Sequence, residues 1–510
     1  MTSQFNHQAE EHVVDKTPPS SRRPSFFQGV TFTGAGTALN IIFLFLETMV
    51  AVRVLDTESF GIYALLVVVV NFLVMVTDVG STTSVTQLIA SSQPSRQATL
   101  VSSTIVFRFI VLAIVSLLIV LFGRTATFLL DPSMVLLEYS IFIPMMLMTV
   151  SLDESLQAIL QGYHAFHHIA IANGLRTVLR LGLSVVFLLV LHLGIEGLIY
   201  SWVISFGIAV VYEYMVLPPP AKRLSLNRQL MGETLRFGLP LQLNRFLWFV
   251  SARADVLLLG LLMGPSAVAL FEVGGRIPNA LVRLTQSYSA VYFPTMTELL
   301  SKAEKDRAHL LLNRSLRVLS FIMALCALGA VVFGQEIVTM LFSAKYEASS
   351  MVFALLMIGL QMNVLVTLMG YTMVSAGSPG NSLAANAIRE TLIVVSDLIL
   401  IPLWGLLGPA FGKLAAYYLA NPISVWMLRR SHIRVVMAPY IKQTALLWLC
   451  AILFWWLQPQ GFLLRAMMIV IFFGLNLALS TISQEDVALM LPHALTRRLT
   501  KRKEAAPHAQ

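Results

Sequence analysis

Apolar runs of about 18 residues or more recur along this sequence from Phe26 to Ser483. At 1.5 Å of rise per residue, each run is long enough to cross ~30 Å of hydrocarbon as a helix. A helix satisfies its own backbone N–H and C=O groups, which lipid cannot do. Hydrophobic residues make up 57% of the 510-residue chain and charged residues only 12%, beyond the composition of ordinary soluble domains. The sequence therefore predicts an all-α polytopic membrane protein.

Fourteen spans are predicted, at 28–52, 60–82, 99–123, 135–160, 167–191, 194–217, 236–262, 266–293, 310–333, 350–376, 381–402, 407–428, 440–457 and 463–483. The positive-inside rule orients them. With the N-terminus in the cytoplasm, Lys222, Arg228, Lys302, Lys305, Arg429 and Arg430 all fall on the inside, as do the basic tail residues Arg497 to Lys503. The outer loops then hold only Arg53, Arg124, Lys345 and Arg465. The net charge of +9 reports this topology. No nucleic-acid-binding pattern accompanies it, so no nucleic acid is expected as a partner. The stretch before Phe26 lacks an apolar h-region and reads as a disordered cytoplasmic tail, not a signal peptide.

The chain repeats itself. Asn173-Gly174-Leu175-Arg176 corresponds to Asn386-Ala387-Ile388-Arg389, and Gly194-Ile195-Glu196-Gly197 to Gly405-Leu406-Leu407-Gly408. Glu47 corresponds to Asp255, and Phe60-Gly61-Ile62-Tyr63 to Val268-Ala269-Leu270-Phe271. The offsets are similar and both halves enter from the same side, so the repeat is parallel. The expected domains are a tail (1–25), an N-lobe of spans one to six (26–217) and a cytoplasmic linker (218–236). A C-lobe of spans seven to twelve (237–430), two further spans (431–485) and a basic cytoplasmic tail (486–510) follow. Parallel repeats place a substrate path between the halves.

Eight arginines fall where lipid would otherwise be: Arg108, Arg176, Arg180, Arg245, Arg253, Arg276, Arg283 and Arg389, with Lys413 as a ninth cation. An ionised side chain at that depth costs at least ~2.5–3.5 kcal/mol unless it faces the bundle interior or water. Only Arg276 has an acid one helical turn away, Glu272. Two readings stay open, a hydrated cavity for an anion and polar bridges between packed helices. The cavity reading makes Arg176, Arg180, Arg245, Arg253, Arg283, Arg276 and Arg389 candidate substrate-binding residues. The acids Asp78, Asp153 and Glu154 are expected at the cytoplasmic interface. Glu47 and Asp255, equivalent in the two halves, are candidate ion-coupling acids. Cys326 and Cys450 lie inside apolar segments, and no metal-ligand spacing, nucleotide-binding motif or paired-carboxylate motif occurs. Neither a cofactor nor enzymatic activity is expected.

Several stretches resemble a known family. Phe60-Gly61-Ile62-Tyr63 after Arg53-Val54-Leu55, Asp255 to Gly260 through Phe271-Glu272-Val273, Phe293-Pro294, Leu341 to Ala348, Ser375-Ala376-Gly377 and Leu400 to Gly408 look like the Wzx-type O-antigen/exopolysaccharide branch of the MOP exporter superfamily. The resemblance spans roughly residues 28–483. It implies a two-lobed, MATE-like transporter of the bacterial plasma membrane, with both termini cytoplasmic. Such a protein flips polyprenyl-pyrophosphate-linked oligosaccharide between leaflets. Its expected partners are this anionic lipid-linked substrate, membrane lipids and polysaccharide polymerase or export machinery. Arginine suits pyrophosphate because its planar fork meets phosphate oxygens two at a time. Two alternatives are an ion-coupled drug/cation antiporter, which calls for an acid-dominated cavity, and a membrane-embedded glycan polymerase or glycosyltransferase, which calls for a large outer loop.

Overall fold

In a computed structural model the described residues are 26–130, 138–222, 225–431 and 433–482, and they contain no strand. Both tails of the expected domain scheme, together with Arg223 and the side chains of Arg124 and Pro240, lie outside the described residues. Among the described residues fifteen α-helices follow one another. They are α1 (Phe26–Val54), α2 (Thr57–Asp78), α3 (Ser81–Ser91), α4 (Pro94–Leu130), α5 (Phe142–Gly162), α6 (Phe166–Val185), α7 (Gly194–Val216) and α8 (Arg228–Met263). Then come α9 (Pro265–Ser301), α10 (Lys305–Leu341), α11 (Ser349–Ser375), α12 (Pro379–Trp404), α13 (Gly408–Arg430), α14 (Ala438–Leu457) and α15 (Phe462–Ala478).

Fourteen of these helices coincide with the fourteen spans, and the chain is a multi-pass membrane protein. By length and hydropathy alone, eight stretches among the described residues qualify as membrane spans. Among the helices outside these eight, α15 has 17 residues, and α9 carries Glu272, Arg276, Arg283 and Glu298. The extra helix is α3. The span predicted at 60–82 stops at Asp78, because Val79 (φ 49°) and Gly80 (φ 77°) both adopt the left-handed region and turn the chain. Asp78 then caps the new helix, accepting from Ser81 Oγ at 3.0 Å and from Thr82 N at 3.1 Å. A side-chain oxygen placed there satisfies an N–H group that the first turn leaves free. Asn227 does the same for α8, accepting from the N–H groups of Gln229 and Leu230.

The helices form two lobes. In the first, α1 packs on α6, α6 on α7, and α5 on α3, α4 and α7. In the second, α11 is the hub, contacting α9, α10, α12 and α13, with α14 and α15 against α10. Residues 349–375 of α11 are accordingly mostly buried, as a central helix ringed by others must be. The lobes meet where α2 crosses α8 and α9, and where α3 and α4 reach α8.

The lobes touch at both ends. At the end carrying the basic loops, Gly80 and Gly238 bring their backbones together. A Cβ on Gly238 would lie 2.3 Å from Gly80 O. Gln242 Nε2 donates to Met75 O nearby. At the opposite end, Arg53 donates to Met340 O at 2.6 Å and Lys345 to Leu55 O at 2.6 Å. There a Cβ on Gly61 would collide with Pro265 O.

Candidate functional site

A cavity of about 420 Å³ lies between α1 of the first lobe and α8, α9, α11 and α13 of the second. Its polar wall consists of Arg253, Arg276, Arg283, Lys413, Asp255 and Glu272. Ile41, Leu44 and Phe45 of α1 form the apolar wall facing them. The charges on α9 reach the cavity because Glu272, Arg276, Asn279, Arg283 and Gln286 recur at helical spacing along one face. Pro278 sits buried among them.

Within this wall Glu272 serves two cations. It accepts from Arg253 NH1 at 3.0 Å and stands 4.0 Å from Arg276 NH2. Lys413 Nζ donates to Asp255 Oδ2 and lies 5.4 Å from the centre of the Phe271 ring. Asp255 Oδ1 is occupied by the N–H of Val256 at 2.8 Å. Among the described residues no carboxylate pairs with Arg283. Four cations thus face two carboxylates, and Arg283 pairs with neither.

The remaining candidates are elsewhere, and all but Arg389 take a carboxylate from another helix. Arg180 donates to Glu47 Oε1 at 2.8 Å and to Tyr63 OH at 3.0 Å, with its guanidinium 4.4 Å from the Trp202 ring centre. Ser184 also donates to Glu47 Oε1 at 3.2 Å. Arg176 bonds Asp153 at 2.5 Å and Asn173 at 2.7 Å. Arg389 bonds its neighbour Glu390 at 2.5 Å. Arg245 donates to Asp78 and to Thr82 Oγ1, both at 3.0 Å, and approaches Glu154 at 3.7 Å. It lines a second, open recess of about 670 Å³ formed with Thr82, Glu154, Gln157 and Gln161.

One expectation is corrected here. The absence of intrahelical acids does not leave these arginines unpaired, because Arg176, Arg180, Arg245 and Arg253 each take a carboxylate from another helix. Asp78 and Asp153 are both buried within the protein. Asp78 also stands 3.5 Å from the fully buried Arg108, so it joins α2, α3, α4 and α8. Reading within single helices also missed Glu213, buried on α7, and the ring contacts of Trp202 and Phe206 with Arg180 and Arg176.

Residues 26–300 match the family described as "Polysaccharide biosynthesis protein". The chain belongs to this family. Among curated relatives, the probable low-salt glycan biosynthesis flippase Agl15 of Haloferax volcanii is 20% identical over 385 residues, covering 73% of this chain and 79% of that protein. The probable flippase AglR of the same organism is 24% identical over 249 residues, 47% of this chain and 50% of that one. Among solved structures, the lipid II flippase MurJ in an inward closed conformation aligns with a TM-score of 0.69 at 11% identity, covering 88% of this chain and 98% of MurJ. An inward-facing multidrug resistance MATE family transporter of the MOP superfamily aligns at 0.63 with 16% identity, covering 79% of this chain and 98% of that one. At such identities the structural likeness shows the MOP-type fold.

Proposed function

We propose that this family member flips a polyprenyl-pyrophosphate-linked oligosaccharide from the cytoplasmic to the outer leaflet of a bacterial plasma membrane, with both termini in the cytoplasm. The observation that carries the reading is the excess of cations in the cavity between the lobes. Arg253, Arg276, Arg283 and Lys413 face only Asp255 and Glu272, and Arg283 lacks a carboxylate. A guanidinium without a carboxylate partner offers its donors to anionic oxygens, and pyrophosphate presents them in bidentate geometry. The family membership and the flippase relatives support the same substrate class. A drug/cation antiporter is disfavoured, since a cationic guest would meet Arg283 with no acid to offset it. The substrate-contacting set is thereby narrowed to Arg253, Arg276 and Arg283, while Arg176, Arg180 and Arg245 bind helices together and Arg389 pairs with Glu390 on its own helix.

The test is flipping of a fluorescent polyprenyl-pyrophosphate glycan in proteoliposomes, with Arg283→Ala and Arg283→Lys beside the wild type. The alanine variant is expected to lose most activity and the lysine variant part of it. Wild-type flipping by Arg283→Ala would remove the anion site from the mechanism.

A further inference from the structure

The recess of about 670 Å³ that Arg245 lines shares no lining residue with the cavity between the lobes. Two helices turn polar faces into it. Thr83, Thr86 and Gln87 come from α3, and Glu154, Gln157 and Gln161 from α5. Each set recurs at helical spacing. The fold fixes these walls. Thr86 Oγ1 donates to Ala158 O at 2.9 Å, and a Cβ on Gly162 would lie 2.8 Å from Ile89 Cβ, so α3 and α5 touch beside the recess. Gln157 is committed, donating to Asp153 and Asn173. The side chains of Thr83, Gln87 and Gln161 are exposed and form no hydrogen bond among the described residues.

The charge here differs from that of the cavity. Arg245 is held by Asp78 and approached by Glu154, and Arg108 stands against Asp78. Two cations meet two acids, so a phosphate has little to gain. The free groups are neutral. Each amide offers two N–H donors and a carbonyl acceptor, and the hydroxyl both donates and accepts. Sugar hydroxyls complement both kinds. Phe166 also borders the recess and is 43% exposed, which leaves its ring free to cover the apolar C–H face of a pyranose. The volume falls within the ~300–1,000 Å³ of small-molecule sites.

We propose that this recess is a carbohydrate site, in which Thr83, Gln87 and Gln161 bond the hydroxyl groups of a sugar and Phe166 covers its ring. It lies beside the Gly80–Gly238 contact, at the end carrying the basic loops. That is the end where the proposed substrate enters, so the sugar bound is the glycan of the lipid-linked substrate. The anion cavity then takes the pyrophosphate and the recess the glycan, at separate places. The part in transport rests on the flipping function proposed above. The affinity for an oligosaccharide does not.

Calorimetric titration of purified protein in detergent tests the site with two probes. One is the phosphate-free oligosaccharide that mild acid releases from the lipid-linked glycan of the native cells. The other is inorganic pyrophosphate. The wild type is expected to bind both. Gln87→Ala combined with Gln161→Ala should weaken oligosaccharide binding by roughly tenfold or more. Both side chains are exposed, so the double variant should fold, and persisting pyrophosphate binding would mark it as folded. Arg283→Ala should show the reverse pattern, losing pyrophosphate and keeping the oligosaccharide. A wild type that ignores the oligosaccharide would overturn the proposal. So would a double variant that binds it as the wild type does, or an oligosaccharide lost from Arg283→Ala, which would put the sugar in the cavity. Pyrophosphate retained by Arg283→Ala would refute the anion site alone. In proteoliposomes, the double variant should raise the concentration of lipid-linked glycan needed for half-maximal flipping. An unchanged value beside weakened oligosaccharide binding would refute the part in transport. A wild type inactive toward the lipid-linked glycan would refute the flipping function and not the sugar site.

Discussion

Arg180 Nε donates to Glu47 Oε1 at 2.8 Å, joining residues 133 positions apart on α6 and α1. Each was a separate functional candidate in the sequence, one for substrate and one for ion coupling. They are instead each other's partner, and Tyr63 and Ser184 complete the cluster. Asp255, the repeat counterpart of Glu47, also holds a cation, but takes Lys413 from the twelfth span and not an arginine from the eleventh. The two halves thus place an acid at the same point and satisfy it differently. Only the second pair borders the cavity.

The first consequence concerns stability. Removing one partner of a buried ion pair leaves an uncompensated charge and costs about 3–5 kcal/mol, whereas replacing both by apolar residues is often neutral. Arg180→Leu and Glu47→Leu are each expected to lower the melting temperature and the membrane level sharply. The double variant should recover much of the loss. Additive losses in the double-mutant cycle would show that the two side chains are not energetically coupled.

Arg283 is expected to behave in the opposite way. It has no carboxylate to strand, so Arg283→Ala should leave the protein folded and at normal level in the membrane. What it loses is a charge-assisted contact worth about 1.5–3 kcal/mol, roughly tenfold or more in affinity for a phosphate-bearing lipid. Titration of purified protein with a polyprenyl pyrophosphate in detergent, alongside a thermal melt, measures both quantities. A destabilised variant of unchanged affinity would mean that Arg283 is a structural residue.

The helices themselves were legible because lipid demands long apolar runs, and that demand is written locally. Their ends were not. Helix α10 continues to Leu341 and α8 begins at Arg228, beyond the apolar runs from which the spans were read. The break at Val79 and Gly80 depends on two left-handed residues, only one of them a glycine. Ion pairing was the least legible feature. Spacing within a helix reveals Glu272–Arg276, yet the structure puts Arg253 closer to Glu272, at 3.0 Å against 4.0 Å. Glu47–Arg180 and Asp255–Lys413 depend on which helices become neighbours, and one sequence does not display that.

Orientation is open to direct measurement. A single cysteine introduced at Ser225, in the linker between the lobes, should react with a membrane-impermeant thiol reagent only after the cell is permeabilised. One at Gly264, in the turn between α8 and α9, should react from outside. The reverse pattern would invert the topology, and with it the direction assigned to transport.

The last expectation concerns closure of the basic end. Gly238 lies inside α8, where alanine is favoured over glycine by about 1 kcal/mol, so Gly238→Ala should not weaken that helix. Its Cβ would nevertheless fall 2.3 Å from both Gly80 O and Ser84 Oγ, closer than nonbonded atoms approach. Gly80 cannot easily retreat, because the turn it shares with Val79 is fixed by Asp78 capping α3 and by Arg245 bonded to Asp78 from the opposite lobe. Substitution should therefore wedge α3 away from α8, opening the end while leaving each lobe intact. Spin labels at Gln87 on α3 and Gln229 at the start of α8 would report this as a shift toward longer distances. Flipping should fall because the cycle stalls with that end open. An unaltered distance distribution would show that the two backbones do not need to touch.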